Sequence, residues 1–194
     1  MILNKISIAL KVFFNSTFET NLPRNIKLLI FDGESVGELK NIIGNTKYFI
    51  LETRINRIRK IYINKNIIFS IIKNFKKNNL INAYLLSVIN EINPKVVFTF
   101  IDNSFKFSIF SKNENRRFQF VALQNGARYE HKIFNQLIKK KIEVNFRRFF
   151  IPNFLCFGQH EINDYQKNKQ QIKKFFKVGS LKLSNYLHFK KKKK

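Results

Sequence analysis

The stretch FQFVALQNGARYEH (118–131) decides how the chain is read. A strand-like apolar segment, FQFVAL, stops at Gln124-Asn125-Gly126, and Arg128 follows two residues after the glycine. A short apolar run bounded by turn residues is the pattern of a strand buried on both faces. The residues that follow, YEHKIFNQLIKKK, take helical spacing. A buried strand that turns straight into a helix is the unit from which parallel sheets are built. Such sheets bind ligands outside the carboxyl ends of their strands, so the polar residues after each strand carry the information about chemistry.

Working outward, the same unit recurs. IKLLIFD (26–32) ends in Asp-Gly and runs into ESVGELKNIIG, which has helical spacing and a closing glycine. KYFILETR (47–54) is a second strand and RKIYIN a short third. From Asn66 to Asn90, Ile68, Ile71, Ile72, Phe75, Ile81, Tyr84, Leu85, Val88 and Ile89 recur at three and four. That spacing predicts one long amphipathic helix whose stripe is core. After Pro94 come the strand PKVVFTFIDN and the helix SFKFSIFSKN. NFLCFG (153–158), QHEINDYQKNKQQ and FFKVGS then read as strand, helix and a last short strand. The alternation predicts an α/β, Rossmann-like fold: a mostly parallel sheet with helices on both faces. The expected organisation is a basic amphipathic segment over 1–23, the domain over 24–185, and a lysine-rich tail over 186–194.

Composition bounds the partners. At 194 residues with 44% hydrophobic content, the chain is long enough for a sizeable core. A formal charge of +25 points toward nucleic acid or an anionic membrane surface. Yet Lys (28) far outnumbers Arg (9), and residues with A/T-rich codons are favoured throughout. Coding bias therefore accounts for much of the charge. A phosphate-reading surface would draw more on the planar fork of arginine. Most phenylalanines also fall within apolar strand or helix patterns rather than alternating with cations, which disfavours a nucleic-acid binder. The single cysteine, Cys156, sits among apolar neighbours and reads as a buried, inert thiol. No run approaches the roughly 18 uncharged apolar residues of a membrane span. The opening MILNKISIALKVFF can lie as a basic amphipathic helix on a membrane surface or dock on the domain's own core, and the pattern leaves both open.

Polar residues collect after five strands: Asp32-Gly33-Glu34, Glu52-Thr53-Arg54, Asp102-Asn103, Gln124-Asn125-Gly126 with Arg128, and Gly158-Gln159-His160. Asp102 can act as a general base toward an acceptor hydroxyl or cap the next helix, capping being the commoner use of such a residue. Glu52 and Arg54 can hold a sugar or phosphate, or pair with each other at the rim. Gly126 suits a tight turn with outward N–H groups, beside which Arg128 can hold an anion. His160 lacks ligand-spaced partners other than Glu161 and Asp164, and reads as polar decoration at a helix start rather than a metal ligand. No GxGxxG, GxxxxGK[ST], HExxH or GxSxG motif is present, which disfavours dinucleotide enzymes, P-loop ATPases, zincins and serine hydrolases.

Taken in succession, IFDGES, YFILETR, PKVVFTFIDNSF, FVALQNGAR, FLCFG and KVGS resemble a bacterial family. The likeness is to surface-carbohydrate biosynthesis proteins, relatives of the two-domain (GT-B type) glycosyltransferases, and covers roughly residues 24–185. It implies transfer of a sugar or sugar-like group onto a surface polysaccharide or lipid-linked glycan. In that reading Asp102 is the candidate base, and Glu52, Arg54, Asn103, Gln124, Asn125, Gly126 and Arg128 bind substrate. No metal or cofactor is expected beyond a nucleotide-activated sugar as donor. GT-B enzymes hold that donor mainly in a second domain. The resemblance ends near FKVGSLKLSNYL, so this chain is expected to be the acceptor-side half. Either a frame disruption in the lysine tract over 186–194 cuts it short, or it is a split-gene subunit needing a separately encoded donor domain. The expected placement is cytoplasmic, peripheral at the inner face of the membrane.

Overall fold

The computed structural model describes residues 14–54, 56–75, 80–112, 118–126 and 149–192. The fold is α/β and Rossmann-like, with a six-stranded sheet in the order β3-β2-β5-β6-β7-β8. Those strands are β2 (Leu28–Phe31), β3 (Tyr48–Leu51), β5 (Val96–Thr99), β6 (Gln119–Leu123), β7 (Phe150–Cys156) and β8 (Gln171–Lys177). Parallel register pairs Leu28 with Tyr48, Val121 with Asn153, and Phe154 with Phe175. Strands in the middle of the order are apolar on both faces because neither face reaches water. The terminal strand β8 instead exposes Lys173, Lys174 and Lys177, charges of the kind that blunt a sheet edge.

The chain forms two compact units. The first comprises residues up to Gly33 together with Thr46–Val96. Its core gathers Leu29, Ile30 and Phe31 of β2 and Val88, Ile89 and Ile92 of a helix, all fully buried. It also holds a two-stranded parallel sheet, β1 (Thr17–Glu19) with β4 (Lys60–Tyr62), cross-linked by Lys60 Nζ to Glu19 Oε1 at 2.9 Å. The short strand expected at RKIYIN is therefore β4. It pairs with a strand inside the segment expected to be an N-terminal amphipathic piece. The helix expected over Ile2–Phe13 lies outside the described residues.

The long helix expected over 66–90 is two helices, α2 (Lys65–Phe75) and α3 (Leu80–Ile92), packed on one another. Its stripe divides accordingly. Leu85, Val88 and Ile89 are buried, but Ile68, Ile72, Phe75 and Ile81 are exposed. A stripe on one continuous helix faces one core, whereas two helices folded on each other spend one face on their mutual contact.

The second unit comprises Glu34–Asn45 and residues from Val97 onward. A 3-10 turn (Val36–Leu39) leads into α1 (Lys40–Ile43), and the remaining helices are α4 (Phe105–Ser111), α5 (Gln159–Lys167) and α6 (Leu181–Lys192). Its core is aromatic. Phe107 and Phe120 meet edge-on at 5.5 Å, and Phe154 lies 4.8 Å from Tyr165. Fully burying one such ring stabilises by about 2–3 kcal/mol. Strand β7 begins three residues before the expected NFLCFG and runs through Pro152. Pro152 has no N–H for a ladder, yet the strand runs through it. The serines of α4 anchor the strand's start: Ser108 Oγ accepts from Phe150 N, and Ser111 Oγ donates to Phe150 O, both at 2.7 Å.

Candidate ligand site at the strand ends

In the first unit β2 ends at Phe31, and Asp32 turns the chain with φ +73. That left-handed conformation is costly for a residue with a Cβ and persists only where surroundings impose it. The restraints are visible. Asp32 N donates to Leu51 O at 2.9 Å, extending the β2–β3 ladder. Its carboxylate, almost wholly buried, accepts from Arg54 Nε at 2.8 Å and Thr53 Oγ1 at 3.3 Å. Arg57 Nη1 lies 3.7 Å from the other oxygen. Arg57 N donates to Arg54 O at 2.9 Å in a turn, and that turn brings both guanidiniums to one carboxylate.

Glu52 does not pair with Arg54, contrary to the ion pair expected from their spacing. The guanidinium is engaged by Asp32, and Glu52 Oε2 accepts from Gly33 N at 3.4 Å. Burial pushes the Glu52 carboxyl above the usual carboxylate range, and the Asp32 charge adds to that. The Gly33 N–H and the Arg57 and Arg54 charges oppose it without cancelling it. Gly33 permits a close approach here: a Cβ on it would stand 2.5 Å from Glu52 Oε1, at the end of a flexible side chain, and 3.1 Å from Ile50 Cγ2. Arg54 and Arg57 keep 40% and 37% of their side chains exposed, so each presents part of its cationic surface to water.

The second unit supplies the ends of β5 to β8. Asp102, following β5, is buried and accepts from Tyr165 OH at 3.0 Å and from Asn125 N at 3.4 Å. It does not cap α4. That position belongs to Ser104, whose Oγ accepts from Phe107 N at 3.2 Å. Gln124, also buried, joins two strand ends: Oε1 accepts from Phe157 N at 3.0 Å and Nε2 donates to Gly126 O at 2.9 Å. Asn103 is exposed, and the buried Oδ1 of Asn125 makes no hydrogen bond. Gly126 meets neither expectation for a required glycine. It lacks a positive φ, and a Cβ there would touch nothing within 4 Å. Arg128 lies outside the described residues.

Within the same unit a cleft of about 550 Å³ opens at the carboxyl ends of β5 to β8. Phe98, Leu123 and Leu155 form its floor, and Val178, Ser180 and Ser184 its C-terminal side. Its apolar walls with a few hydroxyl and amide groups have the character of a small-molecule site, and its size falls within the usual range.

The remaining expected positions are accounted for. His160 is exposed on α5 and pairs with Asp164 at 3.5 Å, one helical turn on. Among the described residues no three His, Cys, Asp or Glu side chains cluster as metal ligands. The Cys156 thiol is buried and pushed up by burial, with the Glu161 charge adding to the effect. No described helix is long and apolar enough to cross a membrane. Sequence reasoning missed Arg57 and Tyr165. Arg57 carried a local signal, three residues after Arg54 in a turn. Tyr165 carried none, because its bond to Asp102 spans 63 positions. No family model, curated protein or solved structure matches this chain.

Proposed function

We propose that this chain is the acceptor-side part of a glycosyltransferase-like system for surface polysaccharide assembly. The observation that carries the reading is the cleft at the carboxyl ends of β5 to β8. Parallel sheets bind ligands at that edge, and apolar walls suit the lipid-proximal part of a lipid-linked acceptor. Ser180, Ser184 and Asn185 supply polar contacts to its first sugar or phosphate. Gln124 and Asp102 hold the neighbouring strand ends in place. Separately, in the first unit, Arg54 and Arg57, fixed by Asp32, are half-exposed cations of the kind that pair with a phosphate. A nucleotide-activated sugar would be the donor, held by a donor-binding domain that works with this one.

The test is equilibrium binding of a short polyprenyl-phosphate glycan to the chain, beside a nucleotide sugar. The expected result is saturable binding of the glycan lipid and no hydrolysis of the nucleotide sugar. Ser184→Phe, which fills the cleft from an exposed helix position, should weaken the glycan lipid at least about tenfold. Binding unaffected by that substitution would remove the cleft from the reading. Donor turnover by this chain would remove the assignment to the acceptor side.

A further inference from the structure

Helix α2 is amphipathic with its apolar face outward. Ile67 is fully buried, and Ile71 lies on the same, inward side, whereas Ile68, Phe69, Ile72 and Phe75 face solvent. Phe69 and Ile72 keep 76% and 65% of their surface exposed. Leu80 and Ile81, at the start of α3, are exposed as well, so the apolar surface includes the first turn of the neighbouring helix. Six large apolar side chains on two packed helices exceed the scattered exposure normal for a surface and mark an interaction site.

The charges around the patch identify what it meets. Lys65 and Lys73 are exposed on the same side of α2 as Phe69 and Ile72. Between Glu52 and Glu91 the sequence contains eight Lys and Arg residues and no Asp or Glu. Coding bias enriches lysine everywhere, but it does not empty a 38-residue stretch of acids or set Lys65 and Lys73 beside Phe69 and Ile72 on the exposed side of one helix. An apolar strip bordered by lysines matches the boundary of an anionic bilayer, where rings enter the acyl region and ammonium groups meet headgroup phosphates. The lysines bordering the strip also oppose pairing with a second copy of the same face, since the two sets of cations would repel.

We propose that the exposed face of α2 and the start of α3 form a docking surface for an anionic lipid bilayer. The surface does not depend on the acceptor reading, because it involves none of the cleft residues. It binds in the plane of the membrane rather than across it.

Flotation of the full chain with phosphatidylcholine vesicles containing about a third phosphatidylglycerol tests this. The parent should float with these vesicles and stay behind with pure phosphatidylcholine. Phe69→Ser with Ile72→Ser should lower partitioning at least about tenfold, with an unchanged circular dichroism spectrum because both positions are exposed. Lys65→Gln with Lys73→Gln should lower it about tenfold at low salt and less at high salt. Equal flotation on both vesicle types, or flotation indifferent to the Ser pair, would overturn the assignment. So would a failure to float combined with a concentration-dependent dimer that the Ser pair dissolves, since a second copy would then cover the face.

Discussion

Asp32 and Asp102 occupy equivalent positions, each just beyond a parallel strand and each almost without exposed surface. Their partners differ in kind. Asp32 is held by two guanidiniums that remain more than a third exposed, and Asp102 by a buried phenol and a backbone N–H. A carboxylate facing half-exposed cations keeps an outlet to solvent, so an incoming anion can compete for the same guanidiniums. A carboxylate bonded to a buried phenol and a backbone N–H is tied to the fold through both of those bonds. One strand end is suited to ligand exchange and the other to rigidity.

The largest expected effect tests the rigid end. Asp102→Ala strips the acceptor from Tyr165 OH and from Asn125 N, and should destabilise by about 3 kcal/mol in urea unfolding followed by circular dichroism. Tyr165→Phe should cost less, and the double variant should cost less than the sum, because both remove the same bond. A loss under about 1 kcal/mol for Asp102→Ala would mean that water reaches this network, and the contrast would collapse.

Next comes the open end. Arg54→Met leaves the buried Asp32 with Thr53 and the longer Arg57 contact, and should cost about 2 kcal/mol. Moderate salt should shrink that cost, because half-exposed pairs are screened, and leave the Asp102 effect unchanged. Equal salt sensitivity at both ends would erase the distinction.

Two carboxyls of the first unit sharpen the comparison through pH. Burial works to raise the Glu91 carboxyl, but hydrogen bonds from Arg24 and Asn66, the Arg24 charge and the Asn64 bond outweigh it and leave it below the usual range. A lowered carboxyl contributes stability above the ordinary carboxylate range and loses it as pH falls through its folded value. Glu91→Gln should therefore destabilise at neutral pH, with the gap closing in acid. The raised Glu52 has the opposite sign, since its ionised form is disfavoured in the fold. Glu52→Gln should be at least as stable as the parent at neutral pH, with that advantage vanishing below the ordinary range. Denaturant midpoints across pH read both.

The smallest effect belongs to Gly33→Ala. Its methyl displaces the end of a flexible Glu52 side chain and presses the Ile50 methyl, costing within about 1 kcal/mol. Its signature is the Glu52 carboxyl titrating closer to the ordinary value in NMR.

Much of this fold was legible in the sequence, for a definite reason. Strands buried on both faces leave uninterrupted apolar runs such as LLIF and VVFT, and those runs fell where the strands are. Several strand-end residues could be named in advance, because chain leaving a parallel sheet must turn polar at its carboxyl edge. What those residues bind to was not legible. Spacing suggested Glu52 with Arg54 and a cap at Asp102. Packing instead joined Arg54 to Asp32 and Asp102 to Tyr165, through contacts 22 and 63 positions apart. The helical period running from Ile68 to Ile89 concealed two helices, since a 3.6-residue repeat says which residues share a face but not what covers it.

The sequence by itself determined the class of the molecule, because alternation of apolar runs with amphipathic segments admits few architectures other than a parallel sheet with helical crossovers. Only the tertiary structure decided the strand order, the partners of each buried carboxylate, and the outward turn of the apolar face of α2. Those depend on contacts between residues distant in the chain, and local periodicity carries no record of them.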